Sequence, residues 1–453
     1  MNLELAAEKP IIVGLGATGL SCAEYFAREE IAFQVLDTRE NPPCLNQFRS
    51  LFPAMQVELG NLDEQMLLDS DCLVVSPGVS LKTPEIARAI AAGKPVCGDI
   101  ELFVKAVQSP VVGITGSNGK STVVAMVAEI LRAAAIDFGL GGNLDGINFK
   151  PALDLLKEPL HDLYLLELSS FQLETTHSLA AEVAVLLNIS EDHLDRYDSL
   201  DDYAQAKRRV FHGCRKAVIN LDDPNCRLPE GAAPEVFGFS YGQPVANGVG
   251  ILQDHEELFI AHRFEKIIAV HELKVVGQHN SLNALAATAT ALALGIEPAV
   301  IRAGLKGFEG LPHRCQWVSM KQGVEYFNDS KGTNVGATSA AIEGVGQRVA
   351  GHVVLIAGGQ AKGADFSQLM PAMNKWGKAA VLLGQDAMEI AASLGDDIQV
   401  HFVDNMEQAV SCAAGLAEPG DAVLLSPACA SFDMFENFQH RGDCFVDAVR
   451  NYL

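Results

Sequence analysis

The sequence predicts an α/β protein of three successive units, each a mainly parallel sheet with helical crossovers, and three observations carry that prediction. Residues 10–37 read as strand, glycine turn, helix and second strand. Residues 109–135 repeat strand, glycine-rich loop and helix around the text GSNGKST. Beyond residue 311, five short apolar runs alternate with helical text, and four of them end in polar or glycine-rich residues. Strands alternating with helices build parallel sheets, because each parallel crossover needs a connecting element on a sheet face. A chain of 453 residues has room for about three domains of roughly 150 residues each. The expected segments are 1–98, 99–310 and 311–453.

In the first segment, PIIVGLGATGLSCAEYFAREEIAFQVLD turns at Gly14-x-Gly16-x-x-Gly19 and closes its second strand on Asp37. This is the context of a Rossmann-like dinucleotide fingerprint, with a carboxylate near the spacing of a ribose contact. The glycines report a tight turn and a close phosphate, which any diphosphate ligand would satisfy. Glycines that serve only helix–sheet packing are the plainer alternative. A third strand, Cys72 to Ser76, ends in Pro77-Gly78-Val79, where Pro77 stops the ladder and Gly78 lets a ligand approach the backbone. A boundary is expected at residues 98–108.

The second segment opens with Val111 to Ile114, an apolar run suited to burial on both faces. Gly116, Ser117, Asn118 and Gly119 follow as a sharp turn, then Lys120, Ser121 and Thr122, then Val124, Val127, Leu131 and Ala134 at helical spacing. A loop that opens a helix gathers N–H groups and the positive dipole end at one point, which suits phosphate. Lys120 adds a cation, and a hydroxyl of Ser121 or Thr122 can hold Mg²⁺. The match to GxxxxGK[ST] is imperfect, since Ile114 stands at the first glycine and Gly113 and Gly116 flank it. A glycine-rich turn beside a surface lysine is the plain alternative.

Further along, GLGGN (139–143) reads as a turn at the carboxyl edge of a strand. The apolar run Leu163 to Leu168 carries one carboxylate, Glu167, whose burial demands a cation or a hydrogen-bond partner. A second buried strand, Val183 to Ile189, leads into Ser190-Glu191-Asp192-His193-Leu194-Asp195. Ligands of parallel sheets gather at the carboxyl ends of strands, so the loop, Glu167 and His193 are expected to converge. By itself His193 would more often be a capping or core histidine. Lys207 sits in helical text, YAQAKRR, where a solvated basic face is the default. Residues 222–275 suggest small strands and hairpins. In GQHNSLNALAATATALALGI, Asn280 is placed to cap a helix with Asn283 one turn inward, as capping residues or as amides that read a base edge.

In the third segment the strand candidates are Val324 to Phe327, Val353 to Ala357, Ala379 to Leu383, Val400 to Val403 and Ala422 to Leu425. Polar groups at their ends are what a ligand site needs. Arg314 and Lys362 are each able to hold a carboxylate or phosphate, one as a fork and the other as a point charge.

A formal net charge of −24 opposes a nucleic-acid partner, since no electrostatic term favours a polyanion. Small anions must then be held by local groups such as Lys120. Ten cysteines without a CxxC pair fit a reducing compartment. MNLELAAEKPIIV lacks the features of a signal peptide, and the apolar runs fall short of the roughly 18 residues of a membrane span. A soluble cytoplasmic protein is the expectation.

Taken in order, GITGSNGKST, LELSSFQLE, NISEDHLDRY, YAQAK, GQHNSLNALAA, LPHR, NDSKGTNVGAT, GGQAKGADF and SPACASFDMFENFQHRG resemble the Mur ligases of bacterial peptidoglycan synthesis. The likeness runs from Val13 to the C-terminus, and within the family it is to the branch that adds D-glutamate. It implies a Rossmann-like UDP-binding unit, a central P-loop ATPase-like parallel sheet with a small β insertion, and a Rossmann-like C-terminal domain. It implies that ATP phosphorylates the carboxylate of UDP-N-acetylmuramoyl-L-alanine and that the amine of D-glutamate attacks the acyl phosphate, releasing ADP and phosphate. Two Mg²⁺ ions are implied. By motif match Lys120 and Ser121 hold ATP phosphates and one Mg²⁺ with Glu167, while His193 and a carbamylated Lys207 support the second.

The resemblance assigns Gly116, Ser117, Asn118, Gly119, Lys120, Ser121, Thr122, Asn280, Asn283, Arg314 and Asp329 to ATP. It assigns Ala17, Thr18, Asp37, Thr38, Arg39, Gly78, Asn143 and His193 to the UDP-linked substrate. D-glutamate falls to Lys331, Thr333, Lys362, Ser431, Phe432 and Phe438. A cytoplasmic monomer is implied, with no nucleic-acid or membrane partner. The rivals are a sister Mur ligase, a folylpolyglutamate synthase-like enzyme, a nicotinamide-dependent dehydrogenase built on the Gly14–Gly19 turn, and an ATP-binding module without catalysis. Against the sister enzymes stand SPACASFDMFENFQHRG and the absence of a DNPR motif. The dehydrogenase leaves the triphosphate loop without a task.

Overall fold

The runs PIIV, QVLD, VEL, CLVV and VC form β1 (Pro10–Val13), β2 (Gln34–Asp37), β3 (Val57–Leu59), β4 (Cys72–Val75) and β5 (Val96–Cys97). They belong to a computed structural model that describes residues 9–143, 150–192, 196–232, 234–275, 277–361, 363–395 and 397–452. The strands lie in the order β3-β2-β1-β4-β5 with every pairing parallel. Alternation sorts their side chains onto two faces. Ile12, Val35 and Val74 join one core with Leu20 and Phe26, while Ile11, Val13, Leu36, Leu73 and Val75 join another with Leu67 and Ile86. Because the strand order reverses between β1 and β4, the turn after β1 and the Ser76–Val79 loop lie side by side. The Ser76 hydroxyl accordingly donates to the Gly14 carbonyl at 2.8 Å. Cys72–Val75 is thus the fourth strand rather than the third, since β3 is a three-residue edge strand with no apolar run to announce it.

The second sheet holds β6 (Val111–Thr115), β7 (Phe138–Gly142), β8 (Leu163–Glu167), β9 (Val183–Leu186), β10 (Lys216–Asn220), β11 (Glu235–Phe239), β12 (Gly248–Asp254), β13 (Glu257–His262) and β14 (Glu265–Ala269). Its order is β14-β13-β12-β11-β10-β9-β6-β8-β7. β6 runs parallel between β8 and β9, so all three carboxyl ends open at the same edge. The small strands of residues 222–275 add to this same sheet: β11 and β12 continue it in parallel, and β12–β13 is an antiparallel hairpin. GLGGN is not a turn. Its first four residues belong to β7 itself, because a Cβ at Gly139 would lie 2.6 Å from the Tyr164 ring and one at Gly141 would lie 2.9 Å from the Lys150 carbonyl.

The third sheet contains β15 (Gln316–Lys321), β16 (Val324–Asn328), β17 (Val353–Ala357), β18 (Gly377–Leu382), β19 (Gln399–Phe402) and β20 (Ala422–Leu425), in the order β15-β16-β20-β17-β18-β19. Only β15 pairs antiparallel. It was not expected from sequence, since QWVSMK is a half-exposed edge with a broken alternation. The helix that begins near Asn280 spans Gln278–Ala293, so Asn280 is its third residue and not its cap. Among the described residues no helix is long and apolar enough to cross a membrane.

The chain divides into two compact units, Met1–Ile268 with Leu285–Leu305, and Ala269–Ala284 with Lys306–Leu453. The first two sheets share one unit, joined by the helix Asp99–Ala106. Glu101 on that helix accepts hydrogen bonds from the His177 and Ser178 N–H groups at 2.7 and 2.9 Å. Asp99 is fully buried; the Gln172 amide donates to its Oδ2 at 3.3 Å, and its Oδ1 has no hydrogen-bond partner. Burial pushes this carboxyl up to about 6 from an ordinary 3.8. A carboxyl raised in the fold adds stability that is complete below the unfolded value and is lost as pH rises through the folded one. Wild-type protein should therefore lose stability relative to Asp99→Asn between pH 3.8 and about 6. Urea midpoints across that interval test it, and curves that stay parallel would contradict it.

Candidate active site

The Lys120 loop is held in shape by the strand beside it. Gly119 has φ +84° and opens the helix Lys120–Ala133, a conformation in which a side chain would be strained. Asn188, just past β9, clamps the loop from both directions: its Oδ1 accepts from the Asn118 N–H at 2.8 Å and its Nδ2 donates to the Asn118 carbonyl at 3.0 Å. The Ser117 N–H donates to the Asn188 carbonyl at 2.9 Å, and the Ser117 hydroxyl lies 3.2 Å from the Tyr203 hydroxyl. The Lys120 ammonium folds back onto the loop, donating to the Gly116 and Ser117 carbonyls at 2.9 and 3.0 Å. Ser121 and Thr122 are buried in the first helical turn.

Two side chains close around this loop from other elements. Lys207, on the helix Leu200–Arg208, is 2% exposed, with its amine donating to the Gly116 carbonyl at 2.9 Å and lying 4.7 Å from the Tyr203 ring centre. The sequence expectation of a solvated basic face is overturned here. Burial depresses this amine well below the ordinary lysine value, and the charge of Lys120 pushes the same way against the pull of Asp192 and Glu167. Glu167 ends β8 opposite Ile114, beside the start of the loop. It is buried: Asn143 donates to its Oε1 at 3.3 Å, while its Oε2 has no hydrogen-bond partner. The neighbouring Thr115 hydroxyl is likewise buried and unpartnered.

Unpaired buried oxygens cost free energy unless a ligand completes them, and hard oxygen donors of this kind are what Mg²⁺ takes. Among the described residues no group of three His, Cys, Asp or Glu side chains converges. A metal here would therefore have to draw on Glu167, a hydroxyl and ligands from outside that set. His193 lies outside the described residues.

At the first sheet, Ala17 and Thr18 open the helix Ala17–Arg28 directly after the glycine turn. Asp37 is buried at the end of β2, where its Oδ2 accepts from the Leu15 N–H at 2.6 Å and its carboxylate takes the Arg39 guanidinium at 2.6 and 2.8 Å. Burial alone would raise its carboxyl, but the Arg39 and Leu15 bonds hold it below the usual range. Asp37 thus shapes the turn and fixes Arg39. Thr38, the next residue, and Gly78, after β4, are exposed and open to a ligand.

In the second unit, Asn283 donates to Asn280 at 3.3 Å within the helix Gln278–Ala293. Asp329, after β16, accepts from the Cys315 N–H at 3.0 Å and the Ser426 hydroxyl at 2.7 Å, and burial pushes its carboxyl up to about 7. Arg314 is half-buried one residue before Cys315. Lys331 sits over the Phe438 ring at 4.1 Å, next to Thr333, whose N–H donates to the Lys331 carbonyl at 2.8 Å. Ser431 is buried, whereas Phe432 is 69% exposed. Lys362 lies outside the described residues.

Three family models match this chain in order: one described as the MurD-like N-terminal domain over residues 8–98, one as the Mur ligase middle domain over 114–291, and one as the Mur ligase glutamate ligase domain over 313–429. A UDP-N-acetylmuramoylalanine–D-glutamate ligase of Pseudomonas syringae pv. tomato is 48% identical over 449 residues, 99% of either chain. The chain belongs to the Mur ligase family. The protein of that same description from Pseudomonas aeruginosa is also 48% identical over 99% of both chains. Among solved structures, MurF ligase from Thermotoga maritima in complex with ADP superposes with TM-score 0.63 at 15% identity, covering 98% of this chain and 95% of that one. UDP-N-acetylmuramate-alanine ligase MurC from Thermotoga maritima gives 0.62 at 18% identity, covering 98% and 100%. At such identities the likeness is one of fold.

This Mur ligase is therefore an ATP-dependent amide-forming enzyme of the three-domain α/β kind. Within it the sequence brought Lys120, Glu167 and Lys207 to notice but missed Asn188, Tyr203 and Arg441. Asn188 carried a signal in principle, as a polar residue within the apolar run Val183 to Ile189. Arg441 is buried and donates to the Ser330 hydroxyl, the Ser330 carbonyl and the Cys429 carbonyl at 3.0, 2.8 and 3.1 Å, joining the loops after β16 and β20.

Proposed function

We propose that this enzyme joins D-glutamate to UDP-N-acetylmuramoyl-L-alanine in the synthesis of a peptidoglycan precursor, through an acyl phosphate made with ATP. A carboxylate is a poor electrophile, and the reaction must bring several anionic oxygens together without mutual repulsion. The observation that carries the reading is the cluster at the end of β6, where half-buried Lys120, the buried and depressed Lys207 amine and the buried, unpaired Glu167 oxygen surround one phosphate-type loop. Relatives of that activity are 48% identical from end to end.

In this reading the Gly116–Thr122 loop cradles the triphosphate and Lys120 draws its charge away from the incoming carboxylate. By motif match Asn280, Asn283, Arg314 and Asp329 are assigned to ATP as well. Ala17, Thr18, Asp37, Thr38, Arg39 and Gly78 take the uridine diphosphate, with Asn143 on the sugar portion and His193 also on the UDP-linked substrate. Lys331, Thr333, Lys362, Ser431, Phe432 and Phe438 hold D-glutamate, whose two carboxylates suit two lysines. Mg²⁺, as two ions, would be held by Ser121, Glu167, His193 and Lys207, and would screen the phosphoryl oxygens when bound.

A neutral amine attacks CO₂, forming an N–C bond and releasing its proton to water, so Lys207 is suited to become a carbamate and present oxygen to the metal. The three domains are taken as 1–98, 99–310 and 311–453, in a cytoplasmic monomer. Purified protein with Mg²⁺ should release phosphate only when ATP, UDP-N-acetylmuramoyl-L-alanine and D-glutamate are all present. Release that is unchanged when D-glutamate is omitted, or none at all, would sink the assignment.

A further inference from the structure

Arg196 joins the two sheets of the first unit through its guanidinium. Its NH1 donates to the Pro77 carbonyl at 2.7 Å and its NH2 to the Val79 carbonyl at 2.8 Å. The guanidinium carbon lies 4.0 Å from the centre of the Phe171 ring, and the Glu174 carboxylate is 3.6 Å away. Phe171 in turn stacks on Tyr197, the residue after Arg196, with ring centres 6.0 Å apart and planes at 11°. Beside it Lys82 and Asp198 form a second link at 2.7 Å. The Arg196 side chain is only 13% exposed, so the fork is held between a ring, a carboxylate and two carbonyls.

The loop it grips is not an arbitrary one. Val79 donates back to the Ser76 carbonyl at 2.9 Å, and a Cβ built on Gly14 would come within 2.9 Å of the Val79 side chain. The Pro77–Val79 loop is thereby set against the glycine turn on one side and against Arg196 on the other. Arg196 follows closely on Asn188, the clamp of the triphosphate loop, in the segment that leaves β9. Asn188 thus touches the triphosphate loop, and Arg196 touches the loop that packs against the glycine turn.

We propose that Arg196 is a positioning residue for the UDP-linked substrate, tying the Pro77–Val79 loop to Phe171 and Glu174 beyond β8 so that the diphosphate end and the reacting carboxylate are held at one spacing. The proposal rests on the reading that the first sheet receives the uridine diphosphate. Arg196 itself need touch neither substrate nor reacting atoms, since its fork is filled by the two carbonyls. A lysine has one ammonium and cannot present the same fork to both.

The test is calorimetric titration of UDP and of UDP-N-acetylmuramoyl-L-alanine into the full-length wild type, Arg196→Ala and Arg196→Lys, alongside steady-state phosphate release. The alanine variant should bind the UDP-linked substrate roughly 10- to 100-fold more weakly, with KM for it rising likewise and KM for ATP and D-glutamate unchanged. Arg196→Lys should fall between, and added methylguanidinium should recover part of the loss in Arg196→Ala. Should the alanine variant fail to fold, the lysine variant carries the same comparison. Unaltered binding by the variants, or a KM for ATP that rises as much as that for the UDP-linked substrate, overturns the positioning role. A wild type that binds neither UDP compound overturns the underlying reading of the first sheet, and the proposal falls with it.

Discussion

Lys207→Ala yields a folded protein whose phosphate release falls by at least about 10³-fold, the scale on which removal of a group that organises charge at a reacting centre is felt. The expectation follows from placement. Lys207 is buried against the Gly116 carbonyl, with Lys120, Asp192 and Glu167 as its charged neighbours, where an ordinary surface lysine would serve no purpose. If its role is that of a carbamate, turnover in CO₂-depleted buffer should fall and return with bicarbonate, and ¹³C-bicarbonate should give a carbamate resonance that the variant lacks.

The fold itself should not suffer. Because the native amine is depressed, the unfolded chain binds the extra proton, and wild-type stability climbs with pH toward the ordinary lysine value of 10.5. Lys207→Met should lose that slope, which unfolding midpoints measured across alkaline pH would reveal. Near-normal turnover by Lys207→Ala would remove the residue from the mechanism.

Lys120→Ala should be as damaging to turnover, about 10³-fold or more, through a different cause. Its ammonium rests on the Gly116 and Ser117 carbonyls, at the mouth of the loop where a triphosphate would lie. Its loss leaves phosphoryl charge uncompensated, so both ATP binding and the chemical step weaken. Arginine should not restore the rate, since a planar fork cannot replace a compact point charge on the same carbonyls. Calorimetry with UDP should give wild-type affinity in the variant, because the glycine turn of the first sheet depends on Asp37 and Leu15 rather than on Lys120. Equal loss of UDP binding would point to collapse of the unit instead. Lys120→Ala should also relax the depression of the Lys207 amine, so the two substitutions are expected to be non-additive.

What the sequence made legible follows from burial. Strands enclosed on both faces, such as β1, β6, β8, β17 and β20, show as apolar runs and were found within a residue or so of their ends. Strands at an edge did not show: β3 and β15 are half-exposed, and β7 is built of glycines demanded by neighbouring side chains that only the fold supplies. The Gly116–Thr122 loop was readable because backbone geometry restricts its residue types. Lys207 was readable only through likeness to a family, since its helix is polar overall and nothing in the spacing tells a buried amine from a solvated one. Asn188, Arg196 and Arg441 act by binding main-chain carbonyls or N–H groups far away in sequence, and such contacts leave no periodic trace.

The latch that Asn188 and Tyr203 place on Asn118 and Ser117 bears on how the nucleotide is captured. A cradle whose curvature is already fixed surrenders little freedom when its guest arrives, so recognition draws on contacts alone and carries no added entropic penalty for folding the loop. Amide exchange at Ser117 and Asn118, whose N–H groups donate to Asn188, should consequently be slow before any nucleotide is added and change little afterwards.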